Sequence, residues 1–450
     1  MEKIIKKLES INPWIIIGIF FLIYIILILK SPNILSGDEI FYYDQAKHMK
    51  DFELVNFENT QPFAFPAFLA LLWTENVYIL RIANAFVFCI AFIFLFKITE
   101  KIASRKTALI AILILGFSKF TAQYITTLHT EGLFVLAMLA SIWYFLKLFE
   151  DKSWKNYLLL ALWLSITLET RITGLAFLII FPAYLLFFHR KHLNFKFILA
   201  IFIAATMFVP YWIHTGGKFF FEKAFVTRGE YEESIFALTE LPSHVTIFFI
   251  GLLAFVMFSY HVKDKMQLFL FSSIIYGIFL LFPETILFTR HFFPVFVLLI
   301  PIVADAIVQQ KNKILYGIGI LLFIAFLISN IRIIPSLPKF YHQAYYIEVP
   351  ETCKELNEFT VNGIPRKLPY FSQPSGSWEK YTISFLIDKK YNYLVLEYMD
   401  DELIDAILDE NSIKSNFYSA QYSRQVANMV FLPGNHTLEI TVRNSFNIGG

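Results

Sequence analysis

The sequence predicts a polytopic α-helical membrane protein that carries a C-terminal extracytoplasmic β-sandwich-like domain. Of its 450 residues 57% are hydrophobic and only 16% charged, against about 45–50% and 25% in soluble domains. The apolar residues gather into runs close to the roughly 20 residues that a bilayer requires. Past Asn330 those runs give way to short alternating stretches with the period of strands.

The chain begins with a basic leader, Met1 to Asn12, holding Lys3, Lys6 and Lys7. The apolar run from Trp14 to Leu29 is too long for a signal-peptide core. Lys30-Ser31-Pro32-Asn33 offers no small-residue cleavage site, so the run is expected to remain as the first span. Further spans are predicted near Tyr78 to Phe96, Thr107 to Ile125, Gly132 to Leu148, Tyr157 to Leu168, Gly174 to Phe188, Phe195 to Ile213, Val245 to Tyr260, Met266 to Phe282, Phe292 to Val308 and Ile314 to Asn330. That gives about eleven spans in a membrane domain of residues 1–330.

Charge orients these spans. The leader and the loops near Lys97 to Thr107, Lys147 to Lys155, His189 to Lys196, His261 to Met266 and Gln309 to Lys313 are dense in Lys and Arg, which marks them as cytoplasmic. The protein is therefore expected in the cell membrane as a multi-pass chain, N-terminus inside and C-terminal domain outside.

The first outer loop, residues 30–77, is long. Tyr42 to Asp51 reads as a helix along the interface. The proline-broken Gln61-Pro62-Phe63-Ala64-Phe65-Pro66 stretch needs protein or a water-filled cavity around it, because lipid cannot satisfy its backbone. Residues 331–450 form a domain of ordinary size. Tyr381 to Ile387, Tyr393 to Tyr398 and His436 to Val442 alternate as antiparallel strands do, whereas acid-flanked Leu403 to Leu408 also fits a short helix. Ser377-Trp378 reads as an aromatic turn.

Composition and motifs exclude several function classes. A net charge of +2 gives no case for nucleic acid. Cys89 and Cys353, far apart, make neither a disulfide framework nor a metal cluster. No phosphate-binding Walker loop, dinucleotide fingerprint, zincin motif or serine-hydrolase elbow occurs.

The candidate residues lie at the outer ends of spans. Asp38 and Glu39 are adjacent carboxylates in the first outer loop. His129-Thr130-Glu131, Glu169-Thr170-Arg171 and Arg290-His291 fall on the same side. A charge at a membrane edge must reach water, pair or serve a ligand. For Glu131 and Arg171 a structural ion pair stands beside the ligand-binding reading. Nucleotide sugars are cytoplasmic, so a glycosyl transfer at this outer face needs a lipid-carried donor.

Gly37-Asp38-Glu39 with Tyr43 and Ala46, Glu131 at the start of a span, Thr170-Arg171-Ile172-Thr173-Gly174, and Arg290-His291-Phe292-Phe293-Pro294 together resemble the glycosyltransferase C superfold. Within it the pattern is most similar to the dolichyl-phosphate-mannose protein mannosyltransferases and the aminoarabinose transferases of lipid A. The resemblance covers roughly residues 1 to 330. It implies a polyprenyl-phosphate sugar donor and a glycan, lipid or protein acceptor. Asp38 would be the general base of an inverting transfer, with Arg171 and Arg290 at the donor phosphate. Glu39 and Glu131, together with His129, would orient the acceptor or hold a divalent cation, Mg²⁺ or Mn²⁺. Two other classes compete, a transporter of a lipid-linked or glycan substrate and a membrane anchor for a surface β-domain.

Overall fold

The computed structural model describes residues 12–31, 38–51, 62–74, 76–214, 266–281, 292–333, 358–361, 364–365, 378–387, 391–397, 402–413, 417–420, 424–431 and 434–443. The chain divides into two compact units, Met1–Leu337 and Pro338–Gly450.

The first unit is helical. Helix α1, Pro13–Lys30, starts where Asn12 accepts the Trp14 N–H through its side chain and Pro13 fills a position whose missing N–H costs nothing. It is apolar on every side. Ile17, Phe20, Tyr24, Leu27 and Ile28 are buried, while Ile15, Ile19, Leu22, Ile26 and Leu29 lie at alternating spacings of four and three on a face that is each time more than half exposed. A stripe of this kind is what a lipid-facing helix presents, and a water-facing one would carry charge there.

Two shorter helices follow, α2 at Asp38–Lys50 and α3 at Ala64–Leu71, packed on each other with the Tyr42 and Phe65 rings edge to face at 5.2 Å. The acid pair predicted in a loop thus forms the first turn of α2, where two carboxylates suit the positive end of the helix dipole. Helix α4, Val77–Ile102, is capped by Asn76 and is long and apolar enough to cross a bilayer, as is α1.

The run Thr107 to Ile125, predicted as one span, is broken. Helix α5, Arg105–Gly116, stops at Phe117, and α6, Lys119–Ile125, restarts after Ser118. The Gly116 carbonyl left at the break accepts the Tyr24 hydroxyl at 2.7 Å, so α1 satisfies the interruption. Helices α7, Glu131–Lys147, and α8, Trp154–Thr170, lie side by side, with α7 also against α4. Leu133 to Ile142 are all buried, which makes α7 the centre of the unit.

A 3₁₀ turn, Ile172–Leu175, leads into α9, Ala176–Phe188. Helix α10, Phe195–Met207, packs on α8 and is followed by the short α11, Val209–His214. Helix α12, Gln267–Leu281, packs on α9 and on α13, Phe293–Gln309; α13 reaches α5, where Thr107 donates to Asp305 at 3.2 Å. Helix α14, Lys313–Ile333, again exposes a single apolar stripe, Ile314, Ile318, Leu321, Ile324 and Ile328. The predicted span Val245 to Tyr260 lies outside the described residues.

The second unit holds strands β1 (Glu358–Val361), β2 (Ile364–Pro365), β3 (Trp378–Ile387), β4 (Tyr391–Glu397), β5 (Glu402–Leu408), β6 (Asn411–Ser412), β7 (Phe417–Ala420), β8 (Arg424–Phe431) and β9 (Gly434–Arg443). They form a six-stranded sheet in the order β2-β1-β3-β9-β5-β6 and a three-stranded sheet β4-β8-β7, and the pairings are antiparallel. Leu403 to Leu408, open to a helical reading in the sequence, is strand β5, because β9 supplies a full partner for it. Trp378 begins β3 opposite Arg443 and so belongs to a strand, not to a turn. Asp409 and Glu410 turn the β5–β6 hairpin with positive φ, as its tight reversal requires.

Candidate active site

Helix α4 organises the site. Arg81, one turn in from its start, is buried, and a guanidinium at such a depth needs a partner. It finds Glu39 of α2, which is fully buried, and makes a fork-to-fork contact. Nε donates to Oε1 at 3.0 Å and Nη2 to Oε2 at 2.9 Å. The Leu128 backbone N–H donates to the same Oε1 at 2.6 Å. Burial on its own would raise the Glu39 carboxyl. The charge and hydrogen bond of Arg81, the nearby His129 and the Leu128 N–H outweigh it and hold the group below the ordinary carboxylate range.

One turn further along α4, buried Asn84 donates to the Thr127 carbonyl at 2.8 Å and to that of Tyr124 at 3.4 Å. Asn84 and, through Glu39, Arg81 pin the segment from Tyr124 to Leu128. Gly132 follows this segment without a side chain because a Cβ there would come within 2.5 Å of Asn84 Oδ1. His129 is half-buried, its ring perpendicular to Tyr124 at 5.8 Å.

Glu131 opens α7 and is buried. Arg171, in extended backbone just past α8, donates to it through Nη1 and lies over the Phe134 ring at 5.9 Å. On the far side the Tyr276 hydroxyl of α12 donates to Thr173 at 2.7 Å. Gly174 sets the close approach of this turn to α8, since a Cβ would sit 2.6 Å from the Thr167 carbonyl.

The sequence-predicted residues Glu39, His129, Glu131 and Arg171 thus meet around one short segment, Leu128 to Glu131. Asp38 opens α2 beside the anchored Glu39. Arg290 lies outside the described residues. Arg81 and Asn84 escaped the sequence reading, although Tyr78-Ile79-Leu80-Arg81 places a lone cation inside an apolar span, itself a signal of a buried partner. Among the described residues no group of three or more His, Cys, Asp or Glu side chains is placed to hold a metal ion.

Residues 61–214 match the family model described as dolichyl-phosphate-mannose-protein mannosyltransferase. The match runs from just before α3 through α11 and takes in Arg81, His129, Glu131 and Arg171; Asp38 and Glu39 precede it. The resemblance carried by the short motifs is therefore found independently over this stretch. The match spans about a third of the chain and shows similarity to that family over this stretch. No curated protein matches the chain.

Proposed function

We propose that the chain transfers a sugar from a polyprenyl-phosphate donor to an acceptor hydroxyl on the extracytoplasmic face, with inversion at the anomeric carbon. The observation that carries this reading is the gathering of Glu39, Arg81, His129, Glu131 and Arg171 around one backbone segment within or beside the family match.

In this reading Asp38 is the general base. The acceptor oxygen attacks the anomeric carbon, its proton passes to Asp38, and the bond from that carbon to the phosphate oxygen breaks, releasing polyprenyl phosphate. Glu39 does not reach for substrate: its fork with Arg81 fixes the first turn of α2 and so places Asp38. Arg171, steadied by Glu131, receives the donor phosphate, because a planar guanidinium suits two phosphate oxygens at once. Arg290 is a second cation for the same phosphate. The carboxylates of Glu39 and Glu131 each face a guanidinium whose positive charge neutralises them, and the steps above are written on these side chains. The charge pattern of the loops supports the outer location of the site and of residues 331–450, and the acceptor is a glycan, lipid or protein hydroxyl.

Purified protein incubated with radiolabelled polyprenyl-phosphate mannose and a hydroxyl acceptor should release polyprenyl phosphate and label the acceptor. Movement of the intact lipid-linked sugar across a vesicle bilayer with no bond broken would favour a transporter instead.

A further inference from the structure

Glu169 sits in the last turn of α8, two residues before Arg171, and has no part in the mechanism above. Both of its carboxylate oxygens are closed off from solvent, and among the described residues no side chain hydrogen-bonds to either. Among the described residues the Phe63 backbone N–H at the start of α3 is a hydrogen-bond donor toward it, and α3 packs against α8. Leaving a carboxyl group buried and unsatisfied costs stability, and such a group in a native fold calls for an explanation, of which a bound ligand is one. The neighbouring pair does not serve, since Glu131 takes up the Arg171 guanidinium.

We propose that Glu169 binds the hydroxyl groups of the donor sugar. This rests on the glycosyltransferase reading. A sugar ring next to a phosphate held at Arg171 would bring O–H groups toward the outer end of α8. Vicinal hydroxyls match the two oxygens of one carboxyl group, and they serve it in either protonation state, because a hydroxyl both donates and accepts. Glu169 is then what distinguishes a sugar-bearing lipid phosphate from the bare one, while Arg171 senses the phosphate common to both.

The test measures binding of two probes, polyprenyl-phosphate mannose and polyprenyl phosphate, to the full-length protein in lipid nanodiscs. Glu169→Ala should weaken the sugar-bearing probe by about ten- to a hundredfold, the range of a lost hydrogen bond to a charged group, and leave the bare phosphate unchanged. Glu169→Gln, which keeps shape and hydrogen bonding, should fall between wild type and Ala, and it carries the test if the alanine variant does not fold. Equal weakening of both probes, or of neither, would overturn the assignment. A wild-type protein that binds neither probe would overturn the glycosyltransferase reading itself, a result distinct from selective failure at Glu169.

Discussion

Two carboxylate–guanidinium pairs stand on either side of the Leu128 to Glu131 segment, and they differ in kind. In Glu39–Arg81 the side chains are 0% and 4% exposed and meet through two hydrogen bonds, with a third from the backbone. In Glu131–Arg171 the guanidinium is 11% exposed, and Nη1 makes the contact to one carboxylate oxygen. The first arrangement suits a brace, because a bidentate pair sealed from water gains nothing by opening. The second is the more exposed of the two, which suits a contact open to an incoming anion.

The sharpest way to break this contrast is to remove the cation from each pair. Arg81→Ala leaves Glu39 buried without its counter-charge and should cost about 3–5 kcal/mol. It is expected to show as a large drop in melting temperature and in the yield of folded protein. A melting temperature within a degree or two of wild type would show that the pair is not a brace.

Asp38→Asn separates placement from chemistry within α2. With the brace intact, folding and donor binding should match wild type, while turnover falls by about 10² to 10⁴, the usual contribution of a general base. Near-normal transfer by this variant would remove Asp38 from the reaction.

Arg171→Ala should act on the donor more than on the fold, weakening binding of polyprenyl phosphate by roughly ten- to a hundredfold. Arg171→Lys should recover only part of this, because a point charge replaces a planar fork. If lipid-phosphate affinity survives in the alanine variant, the pair is structural on both sides of the segment.

The smallest effect concerns pH. Glu39 is held below the ordinary carboxylate range, so its contribution is complete above the unfolded value of about 4.3 and is lost as pH falls through the lower folded value. Wild-type melting temperature should therefore hold between pH 7 and about pH 5 and decline below about pH 4. The Glu39→Gln variant, already lacking the charge, should lose part of that acid-limb slope.

Much of the helical unit was legible in the sequence because lipid-facing helices expose an apolar stripe, and a long apolar run is its direct trace. The break at Phe117 was not legible. It depends on Tyr24, far away in the chain, satisfying the Gly116 carbonyl, and hydropathy averages across it. The acid pair was found, but its partner was not: Glu39 and Arg81 lie 42 residues apart and meet in the folded chain, and no local pattern records that contact. Glu131 and Arg171 were both singled out, each from its place at the end of a span, with pairing left as one of two readings. Strand β5 was ambiguous for the opposite reason. Its local composition suits either state, and β9 decides.

The segment between the two pairs has a further consequence. Its Leu128 N–H is tied to Glu39 and its Glu131 carboxylate to Arg171, with His129 and Thr130 alone between them. So short a tether transmits displacement: a phosphate that draws Arg171 away from Glu131 also shifts the strap that holds Glu39, and with it the start of α2. On the proposed mechanism donor and acceptor affinities would then be linked, and by thermodynamic reciprocity each would alter the other by the same factor. Binding at one end of this single peptide segment would thus be felt at the other.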